Sequence, residues 1–267
     1  MRVEQLGEGE PDVAIVGSIH GDEPCGRNGI EAVLADPPTV NRPVKFIVVN
    51  EEALAANRRY VEVDLNRIFP GDPDSDVREV RLAAELAAEI RGCTVLSLHS
   101  TQSYDDMFAL VDEVTPLARE VIPQLSVDAV VRTKGKNEGR LFSVAPQAIE
   151  VECGYQGSAQ ASANAEQVIR EFLAAVGVTE DYETTRNELL PVFQLGDPIP
   201  KSAADRYEVY VRNFERVTAG EEFASIDGKP VVADESFYPV LLSPEGYEDV
   251  FGYRGTEVGV LGSDAAE

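Results

Sequence analysis

The sequence predicts an α/β protein: a mainly parallel mixed sheet flanked by helices, followed by a smaller C-terminal β-rich domain. Three observations predict it. Short apolar runs recur through the first 175 residues and alternate with stretches of helical spacing, the pattern of parallel strands covered on both faces. Polar residues that can bind a ligand follow several of those runs directly, where such sheets hold their ligands. After Gly177 the helical stripes stop and short alternating segments take over. Domains are therefore expected at 1–177 and 180–267.

Taken in order, Val13-Ala14-Ile15-Val16 reads as a buried strand. It runs into the loop Gly17-Ser18-Ile19-His20-Gly21-Asp22-Glu23-Pro24, in which two glycines bracket an imidazole. Helical spacing over 27–34 ends at Asp36-Pro37-Pro38. The next strand, 44–49, is apolar on both faces. The clearest helix is 76–91, with Asp76 and Glu79 as a capping box, Val77, Val80, Ala84, Ala87 and Ile90 as its stripe, and Gly92 as its stop. The strand 94–98 delivers His99 at its carboxyl end. Further strands are expected at 108–111, 129–131 and 149–153, and an amphipathic helix at 160–176 closes this part. His20, Asn50, His99 and the end of 149–153 all fall at strand carboxyl ends. Beyond Gly177, segments at 207–212, 223–226, 231–233 and 238–242 alternate in polarity. Turn signals such as Asp227-Gly228 and Pro244-Glu245-Gly246 separate some of them. The tail 262–267 is expected to fray.

With 43% hydrophobic residues the chain can bury a core. No apolar run approaches the roughly 18 residues a membrane span needs, and Met1-Arg2-Val3-Glu4 does not open an apolar signal region, so a cytoplasmic protein is expected. The net charge of −25 makes nucleic acid and anionic membranes poor partners. Basic residues are lopsided, 18 Arg against 5 Lys. An acidic surface with few lysines suits a high-salt cytoplasm, where screening removes self-repulsion; a halophilic source is expected, with an ordinary acidic cytosolic protein as the alternative. Cys25, Cys93 and Cys153 are odd in number and form no C-x-x-C, which argues against disulfides and a thiolate metal cluster. Buried free thiols are the default, and Cys25 or Cys153, close in sequence to the candidate site residues, stays a minor alternative as a nucleophile.

Chemistry concentrates in two places. The chain has only two histidines, His20 and His99, both after buried strands of one sheet, and His20 opens a His-x-x-Glu with Glu23. Two imidazoles, one carboxylate and an open fourth position form a hydrolytic zinc site. Separately, Arg58, Arg59 and Arg67 form a basic island in an acidic protein. Arginine there reads either as a bidentate clamp for substrate carboxylates or as a patch neutralising Glu62 and Asp64.

His20-Gly21-Asp22-Glu23, Arg59-Tyr60 leading to Asp64-Leu65-Asn66-Arg67-Ile68-Phe69, Leu98-His99 and Val151-Glu152-Cys153-Gly154, in this order, resemble the aspartoacylase and succinylglutamate desuccinylase family of the zinc-carboxypeptidase-like fold. The stretches 219–230 and 238–240 look like that family's C-terminal β domain, which would cap the active site. The resemblance implies one Zn2+ per chain held by His20, Glu23 and His99. Glu152 would be the general base, Arg59 would polarise the scissile carbonyl, and Asn66 and Arg67 would bind the α-carboxylate. Arg140 falls where the family places an arginine for a substrate carboxylate, and Tyr247 where the β domain contributes a tyrosine. Two positions depart from the pattern. Asp22 stands where the family usually has Asn, and Ser97 where it usually has Asp, so the charge that raises the basicity of His99 is missing. Glu150, two residues from Glu152 on the same strand face, rivals it as the base.

The implied activity is zinc-dependent hydrolysis of the amide of an N-acetyl or N-succinyl acidic amino acid, a small anionic substrate. A zinc carboxypeptidase on small peptides and a non-catalytic carboxylate- or metal-binding relative are the alternatives. The sequence does not fix an oligomeric state; a homo-oligomer is compatible with it.

Overall fold

The computed structural model describes residues 1–136, 138–184 and 189–262; apart from Gly262, the tail expected to fray lies outside them. The chain runs β1 (Arg2–Leu6), β2 (Val13–Gly17), α1 (Cys25–Ala35), β3 (Val44–Val48), α2 (Glu51–Ala55), α3 (Arg78–Glu89), β4 (Thr94–Thr101), β5 (Phe108–Val111), α4 (Pro116–Val121), β6 (Val130–Arg132), β7 (Ile149–Tyr155) and α5 (Ala159–Ala175). It continues through β8 (Leu190–Pro200), β9 (Tyr207–Val209), β10 (Glu222–Ile226), β11 (Lys229–Val232), β12 (Tyr238–Val240) and β13 (Val250–Leu261). The expected fold class holds.

Among the described residues, ten strands form one sheet in the order β1-β3-β2-β4-β7-β5-β6-β8-β13-β12. Its centre is parallel, with β2 beside β3 and β4, and β4 beside β7. Because β3 and β4 lie on opposite sides of β2, the winding reverses there, and the reversal opens a crevice at the carboxyl ends of β2 and β4. Alternation along β2 decides what each face packs against. Val13 and Ile15 join the core under α1 and α5, while Ala14 and Val16 join the core under α3. A third, smaller core gathers Ile199, Phe223, Phe237 and Phe251 around the sheet β11-β10-β9.

The helix expected at 76–91 needs correction, and two long strands were not expected at all. The helix expected at 76–91 spans Arg78–Glu89, with Val77 as its N-cap and no side-chain cap. The capping box does not form because Glu79 turns inward and is fully buried, where its carboxylate accepts the Val61 and Glu62 N–H groups. The stripe is also rotated: Leu82, Ala83, Leu86 and Ile90 are buried, whereas Val77, Val80, Ala84 and Ala87 are only partly covered. Two leucines bury more apolar area than the alanines beside them, so they set the face. Finally, β8 and β13 pair along most of their lengths and, with β12, extend the main sheet. Their registers shift at several points, which breaks the strict alternation by which a strand is read.

Candidate metal centre and substrate pocket

His20 and Glu23 sit on the loop after β2, and His99 lies near the end of β4. Ser18 enters that loop in the left-handed region, with φ of 56°. Gly21 is required next: a Cβ there would lie 2.1 Å from the Ala53 carbonyl carbon, and the Gly21 N–H donates to the Arg59 carbonyl at 3.1 Å. The loop is thereby clamped between α2 and the segment carrying Arg59.

Ligand atoms of His20, Glu23 and His99 lie within 4.8 Å of one another, and all three residues are buried. The Nδ1 atoms of both imidazoles point at Glu23, His20 to Oε1 at 2.8 Å and His99 to Oε2 at 2.9 Å. Burial alone would raise the Glu23 pKa, but the two histidines hold it well below the ordinary carboxylate range. Burial would likewise lower His99, yet the charge and hydrogen bond of Glu23, then the charges of Glu150 and Glu152, push it up to about 10. His20 is also raised: Glu23 and Asp64 outweigh the desolvation. One anion thus collects two positive partners in a buried space. A divalent cation carries the same charge on one atom, and two nitrogens with a carboxylate oxygen are donors zinc accepts. The residues fit that ion.

Asp64 has a role the sequence reading did not give it. Its Oδ1 faces His20 Nε2 at 3.2 Å and its Oδ2 accepts from Arg59 Nε at 3.0 Å, while Oδ1 also caps the short 3-10 turn Leu65–Arg67 through the Asn66 N–H. One carboxylate therefore orients an imidazole, an arginine and the turn bearing Asn66 and Arg67. Burial would raise its pKa, but His20, Arg59 and Arg67 hold it below the usual range. Arg59 reaches further, placing Nη1 3.4 Å from Glu23 Oε1.

The same pocket is lined by Arg59, Asn66, Arg67, Arg140, Glu150, Glu152 and Tyr247. Asn66 Oδ1 accepts the Leu141 N–H at 2.9 Å, which fixes the amide and brings the loop of Arg140 alongside. That approach needs Gly139, whose φ is +70° and whose Cβ would lie 2.2 Å from the Arg67 carbonyl oxygen. Burial and then the charge of Arg140 lower the Arg67 pKa, while the charge of Asp64 acts the other way. Glu152 pairs in register with His99 on the neighbouring strand. Burial and the Glu23 charge raise its pKa to about 7, and its Oε2 is buried without a hydrogen-bond partner among the described residues. Tyr247 comes from the loop after β12, which also contributes Leu241 and Ser243 to the wall; burial pushes its hydroxyl pKa up.

Two candidates fall away. Asn50 is fully buried and serves structure, its Oδ1 capping α2 and accepting from Arg78. Contact with Cys25 and burial push the Cys153 thiol well up, so it is not a thiolate near neutral pH.

The family model of the succinylglutamate desuccinylase/aspartoacylase catalytic domain matches residues 9–176. A protein named probable aspartoacylase, from a Nostoc species, is 24% identical over 272 aligned positions, covering 88% of this chain and 92% of its own. A human N-acyl-aromatic-L-amino acid amidohydrolase (carboxylate-forming) is 26% identical over 260 positions, covering 85% and 76%. Among solved structures, the succinylglutamate desuccinylase/aspartoacylase of Rhodobacter sphaeroides superposes with a TM-score of 0.76 at 17% identity, covering 96% of this chain and 89% of its own. Murine aminoacylase 3 shares the fold with a TM-score of 0.69 at 19% identity, covering 96% and 99%.

Proposed function

Because the chain belongs to the succinylglutamate desuccinylase/aspartoacylase family, whose members deacylate N-acyl amino acids, we propose that it is a zinc-dependent amidohydrolase acting on an N-acetyl or N-succinyl acidic amino acid. The observation that carries this reading is the convergence of His20 Nδ1 and His99 Nδ1 on Glu23, in a pocket also lined by Arg59, Arg67 and Arg140.

His20, Glu23 and His99 would hold one zinc ion. When bound, zinc acts as a Lewis acid that makes water nucleophilic near neutral pH. This chain's residues do the rest. Arg67 and Asn66 grip the α-carboxylate of the amino-acid half, and Arg140 with Tyr247 takes a second substrate carboxylate. Fixing the substrate at two points orients the amide, from which much of the rate can come. Arg59 faces the scissile carbonyl and stabilises the negative charge that grows on its oxygen as the carbon becomes tetrahedral. Glu152 removes a proton from the attacking water and returns it to the leaving nitrogen, so the amine departs neutral. The products are a carboxylate and a free amino acid. The two curated relatives are named for aspartate and aromatic acyl amino acids; three arginines around this pocket favour an acidic one. The charge balance fits a salty cytoplasm as the setting.

The test is a high-salt screen of N-acetyl- and N-succinyl-amino acids with zinc present, scored by release of free amine. Turnover of acyl aspartate or glutamate above neutral acyl amino acids is the expected result. Release only from dipeptides would make the protein a carboxypeptidase, and zinc binding with no turnover on any acyl amino acid would make it a binder.

A further inference from the structure

The two imidazoles have unequal outer partners. His20 Nε2 faces the carboxylate of Asp64, whereas His99 Nε2 faces the hydroxyl of Ser97, also at 3.2 Å. An imidazole that ligates a metal through one nitrogen is oriented and made a better donor by an anion accepting from the other. A hydroxyl accepts the hydrogen bond but brings no charge.

A carboxylate stands at the same level on the neighbouring strand. Glu150 on β7 pairs in register with Ser97 on β4, as Glu152 pairs with His99. Paired residues of neighbouring parallel strands project from the same face, so all four side chains share one patch of the sheet. Glu150 is 4% exposed, its Oε1 is buried with no hydrogen-bond partner among the described residues, and its charge acts on His99. An unpaired buried carboxylate oxygen is costly unless a partner takes it up.

We propose that Glu150 is a positioning residue, the anionic outer partner of His99, acting through the hydroxyl of Ser97. His99 Nε2–H donates to Ser97 Oγ, and Ser97 O–H donates to Glu150, which leaves Nδ1 free and electron-rich toward the cation. The inference rests on the zinc-hydrolase reading, and it assigns Glu150 a task distinct from that of Glu152.

The experiment measures zinc affinity of the full chain by competition with a chromophoric chelator, alongside kinetics. E150Q is expected to bind zinc about 10- to 100-fold more weakly, with an unchanged apoprotein unfolding midpoint. S97A is expected to lose a similar amount. If the two act in series, S97A/E150Q loses no more than the worse single variant, and S97D/E150Q, which returns the charge to β4, recovers affinity. E150L removes the charge with similar volume and stands in should E150Q not fold. Wild-type zinc affinity retained in E150Q overturns the proposal: a collapse of kcat would then make Glu150 the base, and a raised KM would make it a substrate contact. Losses that multiply in the double variant overturn the path through Ser97. A wild-type chain that binds no zinc overturns the zinc-hydrolase reading itself, whereas tight binding that is insensitive to E150Q overturns this inference alone.

Discussion

Glu23 and Glu152 both lie beside His99, and the fold drives their acidities apart. Glu23 accepts from two imidazoles and stays an anion; Glu152, half-buried near that anion with Oε2 unpaired among the described residues, has its pKa raised to about 7. One carboxylate suits a permanent charge, the other suits carrying a proton at neutral pH. The sign follows from the role: a base must be ionised, so kcat/KM should rise about tenfold per pH unit on the acid side and flatten above the pKa. A nearby cation favours the carboxylate, so the limb should lie at or below about 7. Glu152→Gln should keep zinc and substrate affinity and lose roughly 10²- to 10⁴-fold in kcat, and its profile should lack that limb; near-normal turnover would remove Glu152 from the mechanism. At this scale the sequence was informative where residue types are scarce. With two histidines in the chain, His20 and His99 stood out, and His-x-x-Glu brought Glu23 along. Asp64 and Glu79 did not stand out, because acids are abundant here and their tasks depend on which way each side chain turns. The reading of Arg59 as neutralising Asp64 was half of the truth: the pair exists, but Asp64 shares it with His20.

Elements were legible where burial on two faces leaves an uninterrupted apolar run. The strand expected at 108–111 is found there unchanged, and those at 13–16 and 44–49 shift by one residue at one end. The long strands β8 and β13 were not read because prolines, glycines and register shifts interrupt their pattern. The edge strand β1 was missed for another reason: its middle residues Val3, Glu4 and Gln5 are all exposed, and only antiparallel pairing with β3 makes it a strand. Loops that carry the pocket depend on backbone contacts invisible to hydropathy, and Gly139 is the sharpest case. Its positive φ, and a backbone so close to Arg67 that a Cβ would lie 2.2 Å from the Arg67 carbonyl oxygen, hold Arg140 beside Arg67. Gly139→Ala should cost about 1–3 kcal/mol in urea unfolding and raise KM more than it lowers kcat, because it separates two substrate contacts. A variant with wild-type stability and KM would show that this approach does not set the pocket.

Across the whole molecule, 48 acidic residues face 23 basic ones, and cations are shared: Arg2 alone lies within 4.0 Å of Glu4, Glu31 and Glu51. Such exposed pairs contribute little each, so the excess negative charge repels itself across the surface. The pocket gathers Arg59, Arg67 and Arg140 around one opening, beside Glu23, Glu150 and Glu152. Salt acts on these two features unequally. The Debye length is about 10 Å at 0.1 M and about 3 Å at 1 M, so added salt removes repulsion among distant surface charges before it weakens an arginine in contact with a substrate carboxylate. Two outcomes follow from one cause. The melting temperature should climb between low salt and about 2 M KCl; relief of about 3 kcal/mol would raise it by roughly 6–12 °C. Over the same range kcat/KM for an anionic acyl amino acid should hold or rise, because remote repulsion fades while the short-range grip persists. A melting temperature indifferent to salt would mean the surface charges are already balanced by bound ions or local pairs. A steep fall in kcat/KM with salt would mean the arginines act by long-range attraction rather than by contact.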